Sequence, residues 1–574
     1  MFKILSSLFM TFVMGNLALS QAFAQNTIAY KGATLVDPGH DAPLENSVII
    51  VRDGLIDVVG TADSTPIPPD ADTIDVSGHW ITPGLIDAHI HFSQSGGLYT
   101  RPDGMDLRKV RPYESDRAHS KAQLPLTLRR YLASGITSVV DAGGPKSNFA
   151  IREIAGDVSP RIAFASPLLA TLTPDFAERV ARLDLGGDPT IIPVGGPDEA
   201  RKLVQEQLKL KPDLIKIWYI DSPVRSAMDS YDTVAAIIDE AHKNGLRVAA
   251  HATELETARL AVQAGTDILV HTVDDKPIDD AFVAALKTRD VIVISTVVVY
   301  EHVGQLRSRE VVLSPIEKEL GDPVVISSWK ETPPEMKNVA IADILNKRVK
   351  LVLANLKTLA DADVRVAAGT DAGNPGTLHG PSLHRELALL EGAGFSAKQI
   401  LRAATIDAAD VFSANPDIGT IAPGKRADFL VLRANPAQSV AAYQEIDRVV
   451  FGGVSHDPAA LAPFSPAALV QRQLEAYNAH DTAAFAASYA EDVELFELPA
   501  SEPQTVGRDA LTSRYDRLFK KFKPNCRVLS RIVEGDYVID QEFCDFGTHG
   551  RLRATAIYQV EDDLIRRVWL ATRR

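Results

Sequence analysis

Apolar and polar positions alternate through the middle of the chain in one repeated block. Four stretches show it: ASGITSVVD (133–141), KNGLRVAAH (243–251), QAGTDILVH (263–271) and DVRVAAGTD (363–371). Each is a short run of β-branched and small apolar residues closing on His or Asp. Three carry Gly six positions before that polar residue. Stretches of helical period precede them, such as residues 232–242 and 254–263. Gly245 and Gly265 sit where a helix C-terminus favours a left-handed residue. Helix, glycine, strand, polar residue is therefore a recurring αβ unit.

Eight such strands are predicted, at 85–89, 137–141, 162–165, 214–217, 247–250, 268–270, 291–299 and 364–368. Near-continuous apolar strands alternating with helices imply a parallel sheet covered on both faces. Eight units predict an α/β fold of the closed TIM (β/α)8 type over residues 83–417. No Gly-x-Gly-x-x-Gly follows a strand, so a dinucleotide fold has no support. Residues 25–82 and 418–456 instead carry short β runs broken by turn residues. They are expected to form one composite β-sandwich from the two flanks of the barrel. A Pro/Ala-rich linker (457–465) leads to a separate α+β unit, 466–574, which opens on an amphipathic helix.

Composition narrows the class. The 574 residues are 45% hydrophobic and 24% charged, which supports a packed core and excludes disorder as the main state. The formal charge of −15 speaks against nucleic acid or an anionic membrane surface as partner. Residues 1–24 hold one charge, Lys3, then an apolar run and Ala22-Phe23-Ala24. That is the pattern of a secretory signal peptide, and the mature chain is expected to be periplasmic or secreted, without a membrane span. A membrane anchor is the alternative, disfavoured because the run is shorter than the ~20 residues a span needs.

Barrels of this type place chemistry at the C-terminal ends of their strands. Here the first strand ends in His89-Ile90-His91, the fourth carries Lys216 in DLIKIW, the fifth and sixth end at His251 and His271, and the eighth at Asp371. Residues two apart on a strand face the same way, so His89 and His91 both point into the mouth. Four imidazoles and a carboxylate form a ligand set of the zinc type.

The motifs PGLIDAHIHF (83–92), DLIKIW (213–218), RVAAHA (247–252), DILVHT (267–272), AGTDAG (368–373) and GTIAPGKRADFLVL (419–432) resemble the amidohydrolase superfamily. The resemblance is greatest to its imidazolonepropionase-like and prolidase-like branch. It implies a metal-dependent hydrolase acting on a C–N bond in a dipeptide, an N-acyl amino acid or a cyclic amide. It also implies two divalent cations, with zinc expected. His89, His91 and Asp371 would hold one and His251 and His271 the other. Lys216, carboxylated by CO₂, would bridge them. A lysine among apolar strand residues tends to lose its proton, and a neutral amine can take up CO₂. A plain Lys216–Asp371 ion pair beside one metal stays open. Asp371 is expected to take a proton from the attacking hydroxide and hand it to the leaving nitrogen. The alternative chemistry is a mononuclear deaminase, in which Glu254 of His251-Ala252-Thr253-Glu254 shuttles the proton.

Long insertions at 92–121 and 300–350 are expected over the mouth, the second as a lid. Tyr219, Tyr300, His379, His384 and Arg111 are candidate contacts for a small-molecule substrate. The tail resembles the SnoaL-like cone fold related to nuclear transport factor two, in VQRQLEAYNAHDTAAFAASYAEDVEL (470–495), RDALTSRYDRLFKKF (508–522) and TAIYQVEDDLIRRVW (555–569). Tyr477, Phe485, Phe496 and Trp569 would line its pocket or fill its core. A small-molecule-binding, isomerase-like or oligomerising role stays open, and with it a homo-oligomer. Both cysteines, Cys526 and Cys544, lie nine residues from Gly535. A symmetric hairpin would set them opposite each other, close enough for a disulfide, whereas a one-residue bulge is expected to put them on opposite faces.

Overall fold

The structure is a computed structural model. It describes residues 27–573 apart from 155, 157, 223, 332, 334–337 and 462–465. Residues 1–24, where a signal peptide is expected, lie outside the described residues.

The repeated blocks form eight parallel strands, labelled here β1 (Leu85–Ile90), β2 (Ile136–Asp141), β3 (Arg161–Phe164), β4 (Leu214–Trp218), β5 (Arg247–His251), β6 (Ile268–Val270), β7 (Ile292–Ile294) and β8 (Val366–Ala367). β1 to β3 form one parallel ladder and β4 to β8 belong to another. At one seam Ala165 bridges Leu214. At the other, Ala88 N donates to Ala368 O (3.0 Å) and Asp371 N to His89 O (2.8 Å). Strand and helix side chains share one large apolar cluster, including Leu85, Ile215, Val248, Leu269 and Val366. Gly265 ends the helix Leu255–Ala264 at φ 102°, the left-handed value a side chain would resist.

One predicted strand is wrong in extent. The run 291–299 splits at residues 295–296, and Val297–Ser308 is a helix. Apolar β-branched residues suit a buried strand and a buried helix end alike, so periodicity does not place the break.

Before and after these units, two sheets pack together. One joins Thr27–Lys31, Ser47–Arg52, Leu55–Thr61 and Asp72–Asp75. In the other, Trp80–Pro83 runs antiparallel to Phe429–Leu432, linking residues about 350 apart by sequence through Tyr30, Ile49, Ile81 and Phe429 in one core. The tail holds a six-stranded sheet under the helices Pro466–Ala479, Thr482–Ala487 and Arg508–Phe522. Its first helix packs on the helix Pro323–Trp329 of the second insertion.

Cys526 and Cys544 are joined, with S–S 1.93 Å. The expected effect of a bulge is reversed here. The turn is Gly535-Asp536, and Glu534 pairs with Tyr537, one residue off the symmetric register. A bulge between Val528 and Ser530 restores that register and brings Cys526 opposite Cys544.

Candidate metal centre

The ends of β1, β5, β6 and the turn after β8 converge. His89 Nε2 lies 3.3 Å and His91 Nε2 3.1 Å from Asp371 Oδ1. The His89 ring is 5.0 Å from that of His91 and 5.2 Å from that of His271, which in turn is 4.6 Å from His251. Lys216, 1% exposed, points inward from β4, and its Nζ has no partner among the described residues. The six residues expected as ligands therefore meet at one place. His89, His91 and Asp371 offer ligand atoms within 4.8 Å of one another.

Protons decide what this cluster can hold. His91 Nδ1 lies 2.8 Å from Gly143 O, and a carbonyl only accepts, so Nδ1 carries hydrogen. In the neutral ring Nε2 is then a lone pair facing the Asp371 oxygen, an acceptor against an acceptor. A cation between them removes the conflict, and the backbone partner fixes the ring for ligation. His271 Nδ1 is likewise tied to Thr296 Oγ1 at 2.6 Å. Burial pushes His89 down to about 3, leaving its imidazole a neutral donor, and the Lys216 amine down to about 7, so that a large share of it is unprotonated near neutral pH. Burial and then the Lys216 charge hold His251 well below the usual range. Burial would raise the Asp371 carboxyl, but positive charge on His89 and His91 holds it well below the carboxylate range, and a bound cation would take over that role where the imidazoles are neutral. The unpartnered Lys216 Nζ and His89 Nδ1, with this donor set, fit a divalent metal pair.

The backbone is strained at the same place. His271 (φ 71°) and Asp371 (φ 59°) both adopt left-handed conformations, which cost on the order of 1 kcal/mol each and persist where surroundings impose them. Three further residues, not anticipated from sequence, brace the centre. Asp87, fully buried, accepts from Thr370 Oγ1 (2.6 Å) and Thr370 N (3.0 Å), locking β1 to the turn that carries Asp371. Asn374 Nδ2 donates to Asp371 Oδ1 (2.7 Å), while Arg101 Nη1 donates to Asn374 Oδ1 (2.6 Å). Arg101 thus fixes which end of the amide faces Asp371. Asp87 sits inside the first-strand motif and was readable there. Arg101 and Asn374 meet across 273 positions and had no local signal.

The other sequence candidates scatter. Tyr219 is buried with its hydroxyl donating to Ala227 O (2.6 Å), and His384 Nε2 lies 2.8 Å from Ser134 O. His379 is held between the Tyr131 hydroxyl and Gln94 O, both at 2.8 Å, and stacks on Phe92. Arg111 pairs with Glu331 (3.1 Å) and lies over the Tyr99 ring (4.4 Å), so its charge is already engaged. Tyr300 lies against Asp274, which Arg348 also meets at 3.2 Å. Glu254 caps the helix Leu255–Ala264 without a side-chain hydrogen bond, and burial raises its carboxyl.

The amidohydrolase family model matches residues 80–455, and a SnoaL-like domain matches residues 470–568. The chain is 25% identical to the ochratoxinase of Aspergillus niger over 447 residues, 74% of this chain and 84% of that protein. It is 24% identical to an imidazolonepropionase of Deinococcus deserti over 415 residues, 69% of this chain and 88% of that one. Among solved structures, a putative prolidase from Bifidobacterium longum superposes with a TM-score of 0.56 at 25% identity, covering 75% of this chain and 94% of that one.

Proposed function

We propose that this chain, which belongs to the amidohydrolase family and carries a SnoaL-like domain, hydrolyses a C–N amide bond of a small molecule at a binuclear metal centre. The barrel is read as a closed (β/α)8 unit with its mouth at this centre. What carries this is the convergence of His89, His91, Lys216, His251, His271 and Asp371, with His89 Nε2 and His91 Nε2 3.3 and 3.1 Å from Asp371 Oδ1. Relatives named ochratoxinase, imidazolonepropionase and prolidase support amide hydrolysis.

His89, His91 and Asp371 would hold one divalent cation, His251 and His271 the second, and Lys216 as its carbamate would join both. Zinc suits this nitrogen-rich, partly anionic set. Two bound cations supply Lewis acidity towards the amide carbonyl and a water of lowered pKa. The protein supplies the rest. Neutral Lys216 adds its nitrogen to CO₂ and releases one proton, leaving a fixed anionic oxygen pair in a dry site. Asp371, ionised and held by Asn374, accepts the proton of the attacking water and delivers it to the departing nitrogen. The products are a carboxylate and an amine. The basic start, apolar run and Ala-x-Ala end of the N-terminal segment support export, and so does the disulfide in the tail.

The test is a hydrolysis screen of the purified protein on dipeptides, N-acyl amino acids and cyclic amides, before and after chelation. Metal-dependent release of a carboxylate and an amine is expected. Release of ammonia from an amino-substituted ring by a one-metal protein would instead select the Glu254 deaminase chemistry.

A further inference from the structure

The loops that leave His91 and Asp371 run against each other just past these two residues. His91 N donates to Ala372 O and Gly96 N to Gly373 O, both at 2.8 Å, and Gly376 N donates back to Gly96 O at 2.9 Å. A Cβ at Gly373 would stand 2.6 Å from His91 O, so the contact leaves no room for a side chain there. The spacing between His91 and Asp371 therefore follows the register of the two loops.

The loop after His91 is gripped from outside by residues 230 to 233 positions away. Trp329 Nε1 donates to Gly96 O at 2.9 Å. Leu98 N donates to Ser328 Oγ at 3.0 Å, and the Tyr99 hydroxyl donates to Glu331 at 2.7 Å. Ser328 Oγ in turn donates to Val325 O (2.6 Å), which fixes the hydroxyl on the helix Pro323–Trp329. Trp329 is 5% exposed, and its ring packs with Leu306, Val325 and Leu378. A carbonyl oxygen has two lone pairs, and at Gly96 one takes Gly376 N and the other Trp329 Nε1. The carbonyl by which the helix holds the His91 loop is thus also the one by which that loop holds the turn after Asp371.

We propose that Trp329, with Ser328 beside it, is a positioning residue for the metal centre. It keeps the His91 loop in register with the turn that carries Asp371, and so sets the distance between two ligands of one cation. The inference rests on the reading of His91 and Asp371 as metal ligands. Groups that orient ligands from behind typically change metal affinity by about 10–100-fold when replaced.

The experiment titrates cobalt(II) into the full metal-free chain, because the visible bands of this ion follow the geometry of its ligands. Trp329→Phe keeps a ring in the apolar cluster and removes only the N–H that reaches Gly96. It is expected to bind cobalt about tenfold more weakly and to show shifted visible bands. Ser328→Ala, which frees Leu98 N of the same loop, is expected to move both readouts in the same direction, and it carries the test if Trp329→Phe does not fold. A purely structural role would lower the melting temperature of the metal-free chain and leave the cobalt bands where they are. Unchanged bands and affinity in a folded variant, beside an unaltered chain that takes up cobalt, would overturn the positioning role alone. No cobalt uptake by the unaltered chain would overturn the ligand reading and this role with it.

Discussion

On the proposed chemistry Asp371 is both ligand and proton carrier, and its neighbours explain why a small change there is costly. Asn374 donates to Oδ1, and His89 and His91 face the same atom. Asp371→Asn removes the anion while keeping the shape. Turnover is expected to fall by about 10²–10⁴, the range of a lost acid–base group, with less metal retained; steady-state rates and elemental analysis check both. Asp87 acts one step further back. Asp87→Ala leaves the Thr370 hydroxyl and amide without their acceptor in a dry site, and a loss of about 1–3 kcal/mol is expected in urea unfolding. All six ligand candidates were legible in sequence because each ends a periodic apolar run or sits inside one. Arg101 and Asn374 were not, since their role exists only once two loops 273 residues apart meet. Arg111, in the same insertion as Arg101, carries the same charge but spends it on Glu331. Sequence ranks these two arginines equally.

At the scale of elements, the second insertion shows how local chemistry holds a long loop. The helix Pro323–Trp329 is capped by Asp322, whose carboxylate accepts from Val324 N. The same carboxylate meets His119 at 3.1 Å and Arg130 at 3.6 Å, and Asp116 also acts on His119. Burial would raise Asp322, but His119 and Arg130 hold it low; burial would lower His119, but Asp322 raises it. A depressed acid contributes stability above its unfolded pKa near ~3.9, and a raised histidine contributes fully below ~6.5 and loses this as pH rises through its folded value. The helix should therefore be held hardest between about pH 4 and 6.5. Amide exchange across 323–329 should be slower at pH 5.5 than at pH 8.5 after correction for intrinsic rates, and His119→Gln should flatten the difference. Equal protection at both pH values contradicts this. In the tail, the disulfide closes an 18-residue separation, worth about 3 kcal/mol on chain-entropy grounds. Paired Cys526→Ser and Cys544→Ser replacement should lower tail stability by that order in denaturant melts. Its register was only half legible: the hairpin turn is marked by Gly535, but the bulge that aligns the cysteines has no sequence signature. The same limit hid the break between β7 and the helix Val297–Ser308, where one apolar run serves both.

For the whole molecule, the chain order of textures carried most of the architecture. Alternating apolar runs and helices predict the parallel strands, and the two flanks of similar β texture meet as Trp80–Pro83 beside Phe429–Leu432. What sequence did not show is that the tail leans on the second insertion, through its first helix and the exposed pair Lys330–Glu475 at 3.6 Å. That pair contributes at most about 1 kcal/mol. Metal bound only by the barrel should stabilise only the barrel. Chelation should lower the barrel's calorimetric transition and leave the tail's in place.

The proposed chemistry requires two cations that share the site through Lys216. The most direct measurement is metal content per chain, by elemental mass spectrometry, on protein loaded with zinc and bicarbonate and then freed of excess. About two equivalents are expected, falling to one or fewer in Lys216→Ala. One equivalent in the fully loaded unaltered chain, or two in Lys216→Ala, would contradict it.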